Sequence, residues 1–518
     1  MSNDQKFAEV ELTSYGPQQD AFNDAADMQR MGKKQAFQRN FQFVSIAAFS
    51  VVAIAGWCYV PGTSTPALSN GGTGGIIVIF LINWVGLTFV VVSLAEMASI
   101  APTAGGQYHW SSEFAPPSMQ KFISYLSGWL SSIAWLSGNA GGMFISGSAM
   151  QGLIVATQPN YVPEPYQGYL FVVMVATFAL LVNTLLARHL PRLEGIVFVF
   201  FILAFMATLV VLWVLAPRLT AAEVFTTFTK GEGWDSLGIS LLVSQGAIMF
   251  LIVGSDATAH MAEETKNAST VVPKAMITSY FVNAGLGFVM TVTFCFVLKD
   301  YDAAVDSPVG AIGLPYIQVF INATGSVAGG SALIAILTIL QVLGIVNWTA
   351  SCARQIFAFA RDKGFPFGSW IAKVNEAGTY PINSLIVVWA YVVLINLITL
   401  GSIVAFEAIV SLQILALMST YLVSLGCIVW RRLFGLPLPA SPWTLGKLGL
   451  PINIIGIAYC LFLIIFLPWP GAVPVTPDTM NWASVMFGGI MLIAGIYYVL
   501  HARKEYKGPV MYVKTREL

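Results

Sequence analysis

About twelve apolar runs, most of them near twenty residues or longer, constrain this chain more than any other feature. They are Phe43–Ala67, Ile76–Ser99, Phe122–Ala156, Gln167–Leu186, Leu193–Ala216, Leu237–Ala262, Val272–Leu298, Ser326–Phe359, Pro381–Gly401, Phe406–Val429, Leu450–Leu467 and Trp482–His501. A bilayer's hydrocarbon core takes roughly 20 apolar residues per helix. Backbone polar groups in lipid must be satisfied within the segment, so such runs are helices. The expected fold class is therefore an all-α integral membrane protein with about twelve transmembrane helices. The third and eighth runs exceed one bilayer thickness and are expected to tilt or project. Charged residues make up only 10% of the chain, against about 25% in soluble domains. That excludes a soluble enzyme and a disordered chain. Lys+Arg and Asp+Glu both number 25, so no net basic field draws nucleic acid.

The basic residues orient the spans. With both termini in the cytosol, the outer segments hold only Arg218, Lys230 and Lys299, and the other 22 of the 25 lie on the inner side. This is the positive-inside pattern, and it requires an even number of spans. Residues 1–40 are expected to form a mobile cytosolic tail, 41–502 the transmembrane domain and 503–518 a cytosolic C-terminal tail. The sequon at Asn322-Ala-Thr324 then faces outward as a glycosylation candidate. The five cysteines, Cys58, Cys295, Cys352, Cys427 and Cys460, all sit in apolar runs without metal-ligand spacing. No metal and no cofactor is expected.

Function in a membrane protein shows where the lipid rules fail. Span one contains Ala53-Ile-Ala55-Gly56-Trp57 followed by Pro61-Gly62. Its small residues suit an irregular backbone or a close helix approach. Span six contains Phe250, Val253, Gly254, Ser255, Asp256 and His260, then Glu263 and Glu264. Asp256 and His260 share one helical face if the helix continues, and they read as the ionisable pair deepest in any span. Interruptions at equivalent places five spans apart point to a transport site at the breaks. The implied architecture is two inverted five-helix repeats with helices 1 and 6 broken, plus two extra C-terminal helices. The expected substrate-binding set is Ala53, Ala55, Gly56, Trp57, Phe250, Val253, Gly254, Ser255 and Asp256.

The loops then identify a family likeness. Ala95-Glu96, Pro102-Thr103, Gly105-Gly106-Gln107-Tyr108 and Trp110 resemble the segment after span two in the amino acid–polyamine–organocation superfamily. Glu263-Glu264, Asn267 and Pro273-Lys-Ala275 resemble its segment after span six, and Phe359-Ala-Arg361-Asp-Lys-Gly364 with Pro366 its segment after span eight. The last form, with Gly231-Glu-Gly-Trp234, is similar to the fungal amino acid/choline/GABA permease branch. The likeness covers about residues 35–505. It implies a secondary transporter, not an enzyme, for an amino acid or an amine such as choline, GABA or a polyamine. The cargo in such proteins is sometimes a precursor or product of a specialised biosynthetic pathway. Many amino acid permeases carry a Gly-x-Gly triplet in span one; Ala53-Ile-Ala55-Gly56 departs from it, and an amine held by Trp57 and Phe250 through cation–π contact is the expected alternative.

The likeness also implies proton-coupled symport, with Asp256 and His260 as the groups able to titrate and sodium disfavoured. Some relatives place a Lys on span five in sodium's stead, and Leu193–Ala216 has none; Thr349 and Ser351 leave a sodium site open. Arg361 is expected to close a cytosolic gate with Glu96, Glu263 or Glu264. The expected membrane is the plasma membrane, with the vacuolar membrane as alternative, and the oligomeric state stays open. A nutrient sensor on the same fold, without net transport, is the competing reading.

Overall fold

A computed structural model of the chain describes residues 17–510 except 232, 376–379, 402–403, 478 and 507, with side chains of 17–23 and 404–406 outside the described set. Lys6, Glu232, Lys507, Lys514 and Arg516, which enter the sequence reading above, thus lie outside it. Among the described residues the structure is helical, with one isolated backbone bridge between Phe41 and Thr265. In chain order the helices are α1 (Pro17–Arg30), α2 (Phe43–Ile54), α3 (Gly56–Thr63), α4 (Thr65–Ile100), α5 (Gln107–Phe114), α6 (Gln120–Thr157), α7 (Pro165–Leu185) and α8 (Leu190–Leu215). There follow α9 (Ala221–Thr226), α10 (Leu237–Val243), α11 (Gln245–Ile252), α12 (Ala257–His260), α13 (Ala268–Phe296), α14 (Tyr301–Val305), α15 (Pro315–Thr324) and α16 (Val327–Arg361). The last are α17 (Gly368–Ile371), α18 (Ile382–Ile395), α19 (Val404–Phe434), α20 (Gly449–Phe466), α21 (Ala483–Tyr497) and α22 (Arg503–Glu505).

Among the described residues eleven helical stretches are long and apolar enough to cross a membrane, and the shorter apolar segment Leu237–Ile252 stands where span six was expected. Span six falls short because its helix stops at Ile252. Val253 is extended and Gly254 takes φ +104, so the chain unwinds before α12. Span one is broken as well. Ala55 adopts the left-handed conformation (φ 45), which separates α2 from α3. A non-glycine residue at positive φ is costly, and a side chain from α13 supports it. Asn283 Oδ1 accepts from the Gly56 backbone N–H at 3.1 Å, and Asn283 Nδ2 donates to Val51 O at 3.2 Å. A Cβ on Gly56 would lie 2.1 Å from Leu251 O, so the two broken spans cross at a distance that only glycine permits.

Around this crossing, α6 runs along α16 and α19, and α13 runs along α4 and α2. The outward faces carry Leu, Ile, Val and Phe, as in Leu170, Leu181, Leu203, Val210, Ile455 and Leu492. Those apolar faces need lipid, not water. The two C-terminal helices pack outside this group, α20 on α19 and α4 and α21 on α19. The segment expected to be a mobile tail is packed from Asp24 onward: Met28, Met31 and Phe37 are buried. Its anchor is the Asp24 carboxylate, which accepts from the Asn267 and Ala268 backbone N–H groups at 2.9 and 3.0 Å. That caps the start of α13, where free N–H groups and the helix dipole favour an anion. The side of the molecule where this segment packs is called the tail side below.

Candidate functional site

A small cavity lies where the two broken spans cross. It is lined by Ala53, Ile54 and Tyr59 from span one, Phe250 from α11, and Gly138 and Gly142 from α6. Ile345 and Trp348 from α16 and Gln413 from α19 complete it. Its water-accessible volume is about 20 Å³, room for about one water molecule, so this conformation is nearly closed around the site. No lining residue carries a charge. The rings of Tyr59 and Phe250 meet edge to face at 5.3 Å. Trp348 lies against the unwound segment: a Cβ on Gly254 would meet its indole at 2.6 Å, and one on Gly138 at 2.7 Å. Gln413 is 1% exposed, and its Oε1 has no partner among the described residues. A buried acceptor left unmatched is costly, so the site offers one open position to an N–H or ammonium donor.

Of the nine residues expected to bind substrate, Ala53 and Phe250 line this cavity. Trp57 turns outward and packs edge-on against Phe201 and Phe205 of α8 at 5.5 and 5.3 Å. Ala55, Gly56, Val253, Gly254 and Ser255 form the backbone breaks themselves. Asp256 lies below them toward the tail side, with both carboxylate oxygens engaged. Oδ1 accepts from Tyr421 OH at 2.8 Å and Oδ2 from Gln107 Nε2 at 2.6 Å. His260 Nε2 is 3.8 Å from Oδ2, while its Nδ1 meets Ala104 O at 2.8 Å. Aromatic rings connect this pair to the cavity. Trp348 stacks on Trp135 at 4.3 Å, and Trp135 meets the His260 ring at 4.8 Å.

Beyond Asp256 the tail side is shut by ion pairs. Arg361 grips Glu263 with two bonds of 2.8 and 2.9 Å. Glu264 pairs with Arg354 at 2.7 Å, and Lys33 of the docked segment pairs with Asp362 at 2.5 Å. Glu96 bonds Arg432, with Thr444 Oγ1 and the Leu445 N–H also donating to it at 3.0 and 2.9 Å. The four gate candidates are thus split: Glu263 meets Arg361, while Glu264 and Glu96 have arginines of their own. Burial pushes the Glu263 carboxyl up, but Arg361 and Lys33 outweigh it and hold the group below its ordinary 4.5. Burial raises Glu264, with Arg354 opposing. Asn322 is exposed at the end of α15, where its side chain accepts from Gln318 at 2.8 Å.

Sequence reasoning missed Tyr59, Trp348 and Gln413, because nothing in a lone apolar run says which aromatic faces a cavity. It also missed Glu194, the second residue of the fifth apolar run. It is 3% exposed and bonded by Asn347. A carboxylate inside an apolar run was the available signal.

A helical bundle with two broken spans, a central uncharged cavity and one ion-paired face is the structure of a membrane transporter. The family model described as "Amino acid permease" matches residues 41–493, and the chain belongs to that family. It is 30% identical over 491 residues to an uncharacterized amino-acid permease of Schizosaccharomyces pombe, covering 92% of this chain and 88% of the relative. Amino-acid permease 2 of Neurospora crassa is 27% identical over 495 residues, covering 93% and 88%. A choline transporter of Saccharomyces cerevisiae is 26% identical over 485 residues, covering 90% and 82%. The chain is a multi-pass membrane transport protein for amino acids or amines.

Proposed function

We propose that this permease carries an amine recognised through its ammonium group and drives that transport with a co-moving proton. The observation that carries the substrate reading is the cavity's composition: Tyr59, Phe250 and Trp348 around one unmatched acceptor, Gln413 Oε1, with no charged side chain. Aromatic faces attract a cation without the cost of burying an anion. An α-carboxylate has no such host, since the Gly56 N–H at the span-one break is already taken by Asn283. Choline and polyamines, which carry no carboxylate, fit this pattern better than an α-amino acid, and one relative is named a choline transporter.

The tail side is proposed to face the cytosol of a plasma-membrane protein. Its ion-pair layer concentrates Lys33, Arg354, Arg361 and Arg432 there, as the positive-inside rule requires. The conformation is then closed to the cytosol. The test is uptake of labelled choline, GABA, putrescine and leucine into liposomes holding the purified protein, in sodium-free buffer with an acidic exterior. Accumulation of one of the amines, abolished by a protonophore, is the expected result. Leucine uptake alone sinks the amine reading, and uptake indifferent to the protonophore sinks proton coupling.

A further inference from the structure

We infer that Glu194 is the side chain that carries the coupling proton, an assignment resting on the proton-driven reading above. Glu194 stands on α8 between α2 and α16, 3% exposed. Asn347 of α16 ties it in: its Nδ2 donates to Glu194 Oε2 at 2.8 Å and to the Phe49 carbonyl of α2 at 3.1 Å. One neutral amide thus holds a carboxylate and a backbone carbonyl from two other helices. Among the described residues no cation faces Glu194. Helices α2, α3, α7 and α15 carry no charged residue. On its own helix Arg192 is exposed, and in the turn before it Arg188 bonds His189 at 3.0 Å. On α16 the charges are Arg354 and Arg361, held by Glu264 and Glu263. The one charge on α13, Lys274, is exposed.

A carboxylate without a counter-ion is costly in an apolar interior, and binding a proton removes that charge. Asp256 differs: two donors already fill both of its oxygens. Glu194 is also wired to the cavity. Ile345 and Trp348, on either side of Asn347, line it, and so do Ala53 and Ile54, about one turn beyond Phe49. A shift of α2 against α16 that opens the cavity must strain the Asn347–Phe49 bond, and one of α8 against α16 the Asn347–Glu194 bond, so the one amide couples both movements to the carboxylate. In the proposed cycle a proton from the exterior adds to a Glu194 carboxylate oxygen, and the neutral acid permits α2, α8 and α16 to close. The same proton leaves to the cytosol when they part on that side.

The test uses the full-length protein in liposomes, with whichever of choline, GABA and putrescine the wild type takes up best. Glu194→Gln is expected to drop the accumulation ratio to about one and flatten the pH dependence of uptake between about pH 5 and 8, while exchange of labelled for unlabelled amine persists. A Gln variant that accumulates amine with the wild-type pH profile overturns the assignment. So does one that elutes as a monodisperse protein yet neither accumulates nor exchanges. Where Gln does not fold, Glu194→Asp decides: a displaced midpoint in the pH profile supports the role, and an unmoved one overturns it. Wild-type uptake insensitive to a protonophore instead defeats the proton-driven reading itself, and Glu194 with it.

Discussion

At the scale of single residues, aromatic side chains with the same apolar character do different work. Trp57 and Trp348 both sit in spans, yet one packs on α8 and the other walls the cavity. Which way an indole points depends on its neighbours in space, and one sequence does not supply them. The difference is measurable. Trp348→Ala removes a cation–π face worth about 0.5–2 kcal/mol, so KM for the amine should rise about 2- to 30-fold. Trp57→Ala should leave KM within about twofold and lower thermal stability, since emptying a large buried site costs about 3–5 kcal/mol. Titration of uptake against substrate, with a melting curve for each variant, separates the two. Glu194 repeats the lesson for polar groups. Its depth was hidden by its place near the start of an apolar run, whereas Asp256, in mid-run, stood out at once.

At the scale of elements, the breaks in spans one and six were the most legible feature, because runs of small residues stand at corresponding places in two spans and an Asp sits inside one of them. What the runs did not reveal is the support. Asn283, on another span, accepts from Gly56 and donates to Val51 across the break. Asn283→Ala leaves the Gly56 N–H unmatched, at about 1–3 kcal/mol, while Val51 O keeps only its bond from the Ala55 N–H, and should abolish transport in protein that still reaches the membrane. Asn283→Asp keeps the acceptor and loses the donor, so its transport rate should fall between the two. Equal rates for Ala and Asp would contradict a stapling role. Gly254, at φ +104 beneath Trp348, has no room for a side chain. Gly254→Ala should lose about 1–3 kcal/mol to backbone strain, visible as a lower melting temperature. The docked segment around Asp24 was not legible, because a polar stretch reads as a loose tail until the helix end it caps is placed beside it.

At the scale of the whole molecule, the cavity is nearly closed and one face is locked by ion pairs, as a transporter halted in one state of its cycle should be. The lock has a defined pH behaviour. Glu263 has its pKa held below 4.5 in the closed face. A depressed carboxyl stabilises fully above its ordinary value and loses that contribution only as pH falls through the lowered one. Labelling of a cysteine placed at Thr103, beside Glu263, should therefore not vary between about pH 5 and 8. Arg361→Gln, by contrast, strands a buried carboxylate at a cost of about 3–5 kcal/mol to the closed state. It should raise that labelling by about tenfold or more. The Arg361–Glu263 pair therefore supplies no pH dependence of uptake in that window, a role given to Glu194 above.

The proposed orientation of the spans rests on counting basic residues. The gate partners needed the fold, since Arg361, Arg354 and Arg432 each had several carboxylates to choose from by spacing alone. The central claim is a proton-driven amine carrier built around an uncharged aromatic cavity. Its most direct measurement is uptake of labelled amines by protein-loaded liposomes under an imposed pH gradient, comparing wild type with Trp348→Ala. The account predicts accumulation above equilibrium that a protonophore abolishes and that the Trp348 variant reaches only at higher amine concentration. Absence of amine uptake, or uptake with the same KM and no response to the gradient, would contradict it.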